Sequence, residues 1–473
     1  MPSFTPNLII SKALSPLDWT VFTAVLLLTL LTVVYGSKIK KGSVAPPSHL
    51  KVAVEHLLMG RTLTLPLFIA TLVATWYGGI FGVTKIAFEK GIYNFVTQGV
   101  FWYISYIIFA LFLVKRISSY QAITLPDMVG KIFGKKSAKL AAVFNLFNVL
   151  PIAYVISIGL FISSLTGWDL SVSMTAGLSL VLSYCLWGGL RSVVLSDLVQ
   201  FFTMCLGVAL VLALSLYEFG GIEFLKSNLP SSHFEPTGGQ GWALTLVWGF
   251  IALSTLVDPN FYQRCFAAKS PSIAKKGILI STFIWFCFDI CTTFGAMYAR
   301  AVLPEAQSST AYLTYAIQLL PDGLRGFFLA AILATILSTL DSYLFLAATT
   351  FSFDLSSHKE KLTPRKHAMA IGAVALVSLM MAHVFSGDIK SVWKTLGSLS
   401  AGCMLLPVLL GHFFRRQVVD NTFVFSSLTG AISMIAWRII EKPDSVKSID
   451  GLYIGILSTT LVFFMCLKSK KVS

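Results

Sequence analysis

Thirteen stretches of apolar residues, each about the length of a bilayer crossing, divide this chain, and short charged or turn-forming segments separate them. They run over residues 17–36, 63–84, 94–114, 140–165, 170–190 and 193–216 in the first half. The second half holds 243–266, 277–302, 323–351, 368–385, 395–410, 423–437 and 452–467. Of the 473 residues, too few remain for a soluble catalytic domain. With 56% hydrophobic residues, 12% charged residues and a mean hydropathy of +0.78, the expected fold class is an all-α polytopic membrane protein with about 13 transmembrane helices. The sequence has no HExxH, no phosphate-binding P-loop and no Cys/His cluster, so an enzyme or an ATP-driven pump is not expected. The seven cysteines sit in or beside apolar segments and imply no disulfide framework.

A net charge of +15 would suit a nucleic-acid partner only if the basic residues shared one solvated face. They gather in alternate loops instead. Twenty-five of the 36 Lys and Arg fall on one side, including Lys40, Lys41, Lys115, Arg116, Arg264, Lys359, Lys361, Lys468, Lys470 and Lys471. Basic residues near span ends favour the cytoplasm, so the N-terminus is expected outside and the C-terminus inside a plasma (inner) membrane. No nucleic-acid partner is expected; the basic loops fit contact with membrane lipid. Residues 1–16 lack the pattern of a removable signal, so 17–36 is expected to remain as the first span.

Two spans carry helix breakers at matching places. The second contains Gly78, Gly79 and Gly82, and the seventh contains Asp258-Pro259-Asn260, where Pro259 lacks an N–H and disfavours helix at Asp258. Backbone left unpaired in a bilayer is tolerated only where it lines a protein cavity. Matched breaks that open two five-helix repeats are the pattern of inverted-repeat transporters, although Gly also serves close packing and Pro simple kinks. The expected division is an extra helix and loop over 1–62, repeats over 63–216 and 217–420, and extra helices over 421–473.

Ionisable residues far from span ends need a partner or a task, because each costs about 2.5–3.5 kcal/mol at a helix centre. Asp197, Asp258, Asp289 and Asp341 are such residues. Asp289, in FCFDICTTFG, has the hydroxyls of Thr292 and Thr293 as local partners, or else a role in transport. In the ninth span Thr335, Ser338, Thr339 and Ser342 recur at i, i+3, i+4 and i+7, lining one helical face with oxygen beside Asp341. Hydroxyls, carboxylates and carbonyls freed by a broken helix suit sodium, a hard cation; packing and bonds to the helix's own carbonyls are the alternative.

Four stretches resemble the sodium/solute symporter family, which includes sodium/glucose, sodium/proline and choline transporters. They are GGLRSVVLSDLVQ (188–200), FYQRCFAAKS (261–270), ILSTLDS (336–342) and ATWYGG (74–79). The resemblance implies a leucine-transporter-type core of five plus five inverted helices. It implies a sodium ion held by the carbonyls of Ala74, Tyr77 and Thr335 and the hydroxyls of Ser338 and Thr339. Thr335 stands where relatives commonly have Ala, a change that a carbonyl ligand survives. A second cation site of some members matches Asp197, Ser338, Asp341 and Ser342, with Asp341 where some relatives have Ser. Trp76 and Trp102 resemble the aromatics that hold a quaternary ammonium in the choline branch, but Asp258 replaces an aromatic of that branch. An acid beside aromatics suits an amine or a zwitterion. The expected function is a sodium-coupled symporter that imports a small polar organic solute by alternating access. A proton-coupled symporter of the same fold and a membrane solute sensor that does not transport are the alternatives. The oligomeric state is not legible.

Overall fold

Apolar segments with no water to pair their backbone groups must satisfy them internally, and this chain does so as helices. The computed structural model describes residues 4–6, 8–38, 49–185, 189–356, 362–441, 443 and 449–467. Gly188 of the 188–200 stretch and Lys40, Lys41, Lys359, Lys361, Lys468, Lys470 and Lys471 lie outside them. The longer helices of the first half are α1 (Pro16–Lys38), α2 (His49–Leu58), α3 (Leu65–Ala74), α4 (Ile80–Lys90), α5 (Phe101–Ile108), α6 (Lys135–Val149), α7 (Ile152–Thr166), α8 (Leu170–Cys185) and α9 (Leu190–Phe219). The second half contributes α10 (Trp242–Ala252), α11 (Pro259–Ala267), α12 (Pro271–Val302), α13 (Leu324–Thr349), α14 (Pro364–Val384), α15 (Ile389–Ser400), α16 (Asp420–Ile439) and α17 (Gly451–Met465). Ten helical segments among the described residues are long and apolar enough to cross a bilayer. Three of the expected stretches hold the shorter apolar helices α3, α8 and α17.

Burial ranks these helices by position. The most apolar window of the Leu324–Asp354 segment is 100% buried, whereas that of Pro16–Gly36 is 11% buried. So α13 is the axis of the molecule, packed by α1, α7, α9 and α14, and α1 lies on the outside. Asp18 ties the two together. Its buried Oδ1 accepts from the Gly323 and Gly326 amides at 2.7 and 3.1 Å, satisfying donors that the first turn of α13 leaves without helical partners. α12 packs along both α3 and α4, while α16 and α17 pack on each other and on the Ala401–Leu405 turn.

Both expected interruptions are present. α3 stops at Ala74 and α4 starts at Ile80, so the break spans 75–79; Gly82, expected within it, lies in the first turn of α4. In the second, a tight turn over Leu253–Val257 leads to Asp258, whose extended backbone (φ −78°, ψ 121°) obeys the restriction that Pro259 imposes. The half-helices α3 and α11 run antiparallel. Leu63 exchanges backbone hydrogen bonds with the far end of α11, to Ala267 O and from Lys269 N, both at 3.0 Å. At their other ends Asn260 Nδ2 donates to Thr75 Oγ1 at 3.1 Å, so the two breaks meet. A third interruption was not expected. The 140–165 stretch is not one helix: it parts at Leu150 and Pro151, between α6 and α7, because Pro151 has no N–H to continue the ladder.

Candidate functional site

The last turn of α3 leaves carbonyls without helical partners, and α13 supplies them. Ser338 Oγ donates to Ala74 O at 2.8 Å, and Thr339 Oγ1 reaches the same oxygen at 3.3 Å. Both hydroxyls also lie 3.2 Å from Thr335 O. Gly78 stands against the Thr339 side chain: a Cβ added there would meet Thr339 Oγ1 at 2.8 Å. Gly78, next to Tyr77, therefore packs directly on α13. All five residues named for the sodium site are buried; Ala74, Thr335, Ser338 and Thr339 meet where the break reaches α13, and Tyr77 lies within the break. Their donors are uncharged hard oxygens, a set that fits sodium rather than a transition metal. The hydroxyl of Thr335 bonds back to Ala331 O at 2.7 Å, so it is the carbonyl of this residue that faces the Ser338 and Thr339 hydroxyls.

Beside this cluster a cavity of about 910 Å³, its open side included, is lined by residues of both breaks. Trp76, Trp102 and Asp258, the expected solute contacts, all line it. So do Tyr154, Tyr343 and Trp393, aromatics from three other helices that sequence reading missed, and Asn148, beside the unexpected break at Pro151. Trp76 is braced from behind by Tyr106 and Phe261, each 5.6 Å away between ring centroids. Asp258 has two tasks. Its Oδ1 accepts from the amides of Asn260 and Phe261, at 2.8 and 3.4 Å, capping α11, while the residue borders the cavity.

Trp393 packs against the backbone of the first break. A Cβ at Gly79 would overlap its ring, and one at Gly82 would meet Ile389 Cγ2 at 2.6 Å and Trp393 Cη2 at 3.1 Å. Gly82 is thus a packing residue rather than part of the interruption. Gly79→Ala is expected to displace Trp393 at a cost of about 1–3 kcal/mol, the usual range for overpacking. A melting temperature equal to that of the wild type would contradict this contact.

The acids of the possible second cation site have a neighbour that sequence reading put elsewhere. Arg264, counted above among loop charges, is 1% exposed and points inward from α11. Its Nη2 donates to Ser342 Oγ at 3.1 Å and to Thr71 Oγ1 at 3.3 Å, and Thr71 in turn donates to Asp197 Oδ2 at 2.5 Å. Asp341 is within electrostatic reach of both Asp197 and Arg264. Among the described residues, three buried atoms here make no hydrogen bond: Asp197 Oδ1, Asp341 Oδ1 and Arg264 Nε. Ser342 Oγ accepts from Arg264, and Ser338 Oγ lies equally close, at 2.8 Å, to Ala74 O and to Ala334 O of its own helix.

Asp289 is buried midway along α12, and its partners are not those expected. Thr292 bonds back to Phe288 O at 3.1 Å, and Thr293 accepts from Asn94 at 2.9 Å. The carboxylate accepts from the phenols of Tyr77 and Tyr103, one on each oxygen.

The profile of the sodium:solute symporter family matches residues 56–426, well over half of the chain. The chain belongs to that family. Curated relatives include the sodium/myo-inositol cotransporter 2 of Oryctolagus cuniculus, 25% identical over 417 residues that make up 74% of this chain and 62% of that protein. The sodium/glucose cotransporter of Vibrio parahaemolyticus is 26% identical over 397 residues, 72% of this chain and 70% of its own. The chain thus spans somewhat under two thirds of the inositol relative's length. In fold it is similar to a sodium-coupled sialic acid symporter solved in a substrate-bound outward-open state, with TM-score 0.76, 18% identity and 96% of each chain covered. Mhp1 in an inward-facing conformation aligns with TM-score 0.50 at 13% identity, over 90% of this chain and 93% of that one. These neighbours give the all-helical architecture its class, the leucine-transporter-type fold.

Proposed function

We propose that this family member is a secondary active symporter that couples inward sodium movement to import of a small polar organic solute. The observation that carries the reading is the Ala74 carbonyl, freed at the first break and met by the Ser338 and Thr339 hydroxyls beside the cavity. Sodium there would bind to the carbonyls of Ala74, Tyr77 and Thr335 and those two hydroxyls. It would bridge the broken helix to α13, which favours one conformation of the alternating-access cycle and raises solute affinity in that state. The N-terminus is placed outside and the C-terminus in the cytoplasm, on the alternation of basic loops.

The solute we favour carries a positive charge, as an amine or as the ammonium end of a zwitterion such as an amino acid. Asp258 supplies the counter-charge, and Trp76 and Trp102, with the other rings that line the cavity, offer π faces. A polyol is the second reading, because Gln98, Asn148 and Ser254 line the same cavity and the curated relatives are named for inositol and glucose. Asp197 and Asp341 would take a further cation. Two carboxylates face one guanidinium in that cluster, and a second sodium or a proton would balance the remaining charge.

The experiment is thermal stability of the detergent-purified protein with amino acids, choline and betaine analogues, sugars, inositol and sialic acid, each in sodium and in potassium. A solute that stabilises only in sodium identifies the class and supports coupling. No sodium-dependent shift with any solute would move the reading to proton coupling or to a sensor. Asp258→Asn then separates cap from charge, since asparagine caps a helix as well as aspartate does. Its expected result is at least a tenfold weaker response to cationic solutes with the fold intact; an unchanged response would end the charge-pairing idea.

A further inference from the structure

We propose that Asp289 is a positioning residue for the cation site, acting through Tyr77. The inference rests on the sodium site proposed above and concerns a residue that does not touch it. Tyr77 lies in the 75–79 break, where among the described residues its amide makes no backbone hydrogen bond. Its amide therefore takes no part in a helical ladder, and the side chain is what ties the residue to its surroundings. The phenol donates to Asp289 Oδ1, and the ring packs on Phe288 with centroids 4.1 Å apart. Both partners belong to α12, an unbroken helix of 32 residues that packs along α3 and α4, the two halves of the interrupted one. A rigid helix thus fixes one end of Tyr77, and the other end is a proposed sodium ligand.

A carboxylate is an expensive way to anchor a tyrosine at this depth, where apolar packing alone would serve. What it adds is direction: an acceptor at a defined point orients the phenol, and through the ring the main chain that carries it. Tyr103, from α5, donates to the second oxygen of the same carboxylate. Gly99 admits that contact, since a Cβ there would meet Tyr103 Oη at 2.8 Å and Asp289 Oδ2 at 3.2 Å. Tyr77 also lines the solute cavity. One residue therefore borders the cavity, is tethered to α12 and, in the site proposed above, offers its carbonyl to the cation. That arrangement gives solute and sodium a shared mechanical element through which each can bias the other.

The test is a sodium titration of thermal stability, with potassium keeping ionic strength constant, on Asp289→Asn, Tyr77→Phe, their double variant and Tyr103→Phe. Asp289→Asn and Tyr77→Phe are each expected to raise half-saturating sodium about three- to tenfold. The double variant should do no more than the larger single change, because both remove one contact. Tyr103→Phe, which keeps the Tyr77 contact, should stay within about twofold of wild type. The proposal is overturned if Tyr77→Phe keeps wild-type sodium dependence, or if Tyr103→Phe shifts it equally, which would mean a packing role. Should Asp289→Asn fail to fold, Tyr77→Phe alone decides. Ser338→Ala in parallel separates the two layers: if it shifts sodium dependence and Tyr77→Phe does not, the site stands and the positioning role falls. If neither shifts it, the site and the inference fall together.

Discussion

Replacing Ser338 and Thr339 together by alanine is expected to raise the half-saturating sodium concentration at least tenfold, by far the largest change in sodium dependence that two substitutions can make here. The two hydroxyls converge on Ala74 O at 2.8 and 3.3 Å, and no other side chain donates to that carbonyl among the described residues. A polar contact to a charged partner is worth roughly 1.5–3 kcal/mol, and about 1.4 kcal/mol is a tenfold change in affinity. Even if water replaces one hydroxyl, the loss exceeds tenfold. Solute affinity should fall in parallel at fixed sodium, since coupling is reciprocal. Sodium titration of solute uptake into sealed vesicles reads both effects. An unchanged sodium curve would remove this site and leave Asp197 and Asp341 as the place where a coupling cation acts.

Arg264→Gln is expected to have the largest effect on stability. It would leave Asp197 and Asp341 buried without the guanidinium whose hydrogen bonds reach Ser342 and Thr71. Removing one partner of a buried charge pair costs about 3–5 kcal/mol, because the remaining charge is uncompensated. Folded yield from the membrane and melting temperature should both fall sharply. Adding Asp197→Asn should restore part of each by removing the orphaned charge. A single variant as stable as wild type would show that Arg264 does not balance these acids, and recovery failing in the double variant would mean that Asp197 is not the residue Arg264 offsets.

Arg264 also shows where sequence reading stops. A positive residue near the end of an apolar stretch has the same local signature whether it faces cytoplasm or turns inward. What turns it inward is Thr71, 193 positions away in sequence, and Ser342, 78 positions away. The same holds for Asp289: its neighbours Thr292 and Thr293 were the visible candidates, while Tyr77 and Tyr103 are 212 and 186 positions distant. Pro151 is a different case, because the signal was present. A proline in mid-stretch marks a break by its own chemistry, and at Pro259 the same residue type was read as one. The hydroxyl face of α13 was fully legible, since i, i+3, i+4, i+7 spacing is a local property of any helix.

Local sequence puts this chain in a membrane, makes its apolar stretches helical, breaks two of them at Gly78-Gly79 and Asp258-Pro259, and lines one helix face with hydroxyls. Each of these follows from hydrophobicity, from missing donors or from helical period, all of which act within a few residues. Which groups meet was left to tertiary packing. It set the Ala74 carbonyl against Ser338 and Thr339, Trp393 against Gly79, Arg264 beside Asp197 and the Tyr77 phenol on Asp289. Those meetings depend on how α3, α11, α12 and α13 pack, and packing is set by the shapes of whole helices rather than by any local pattern.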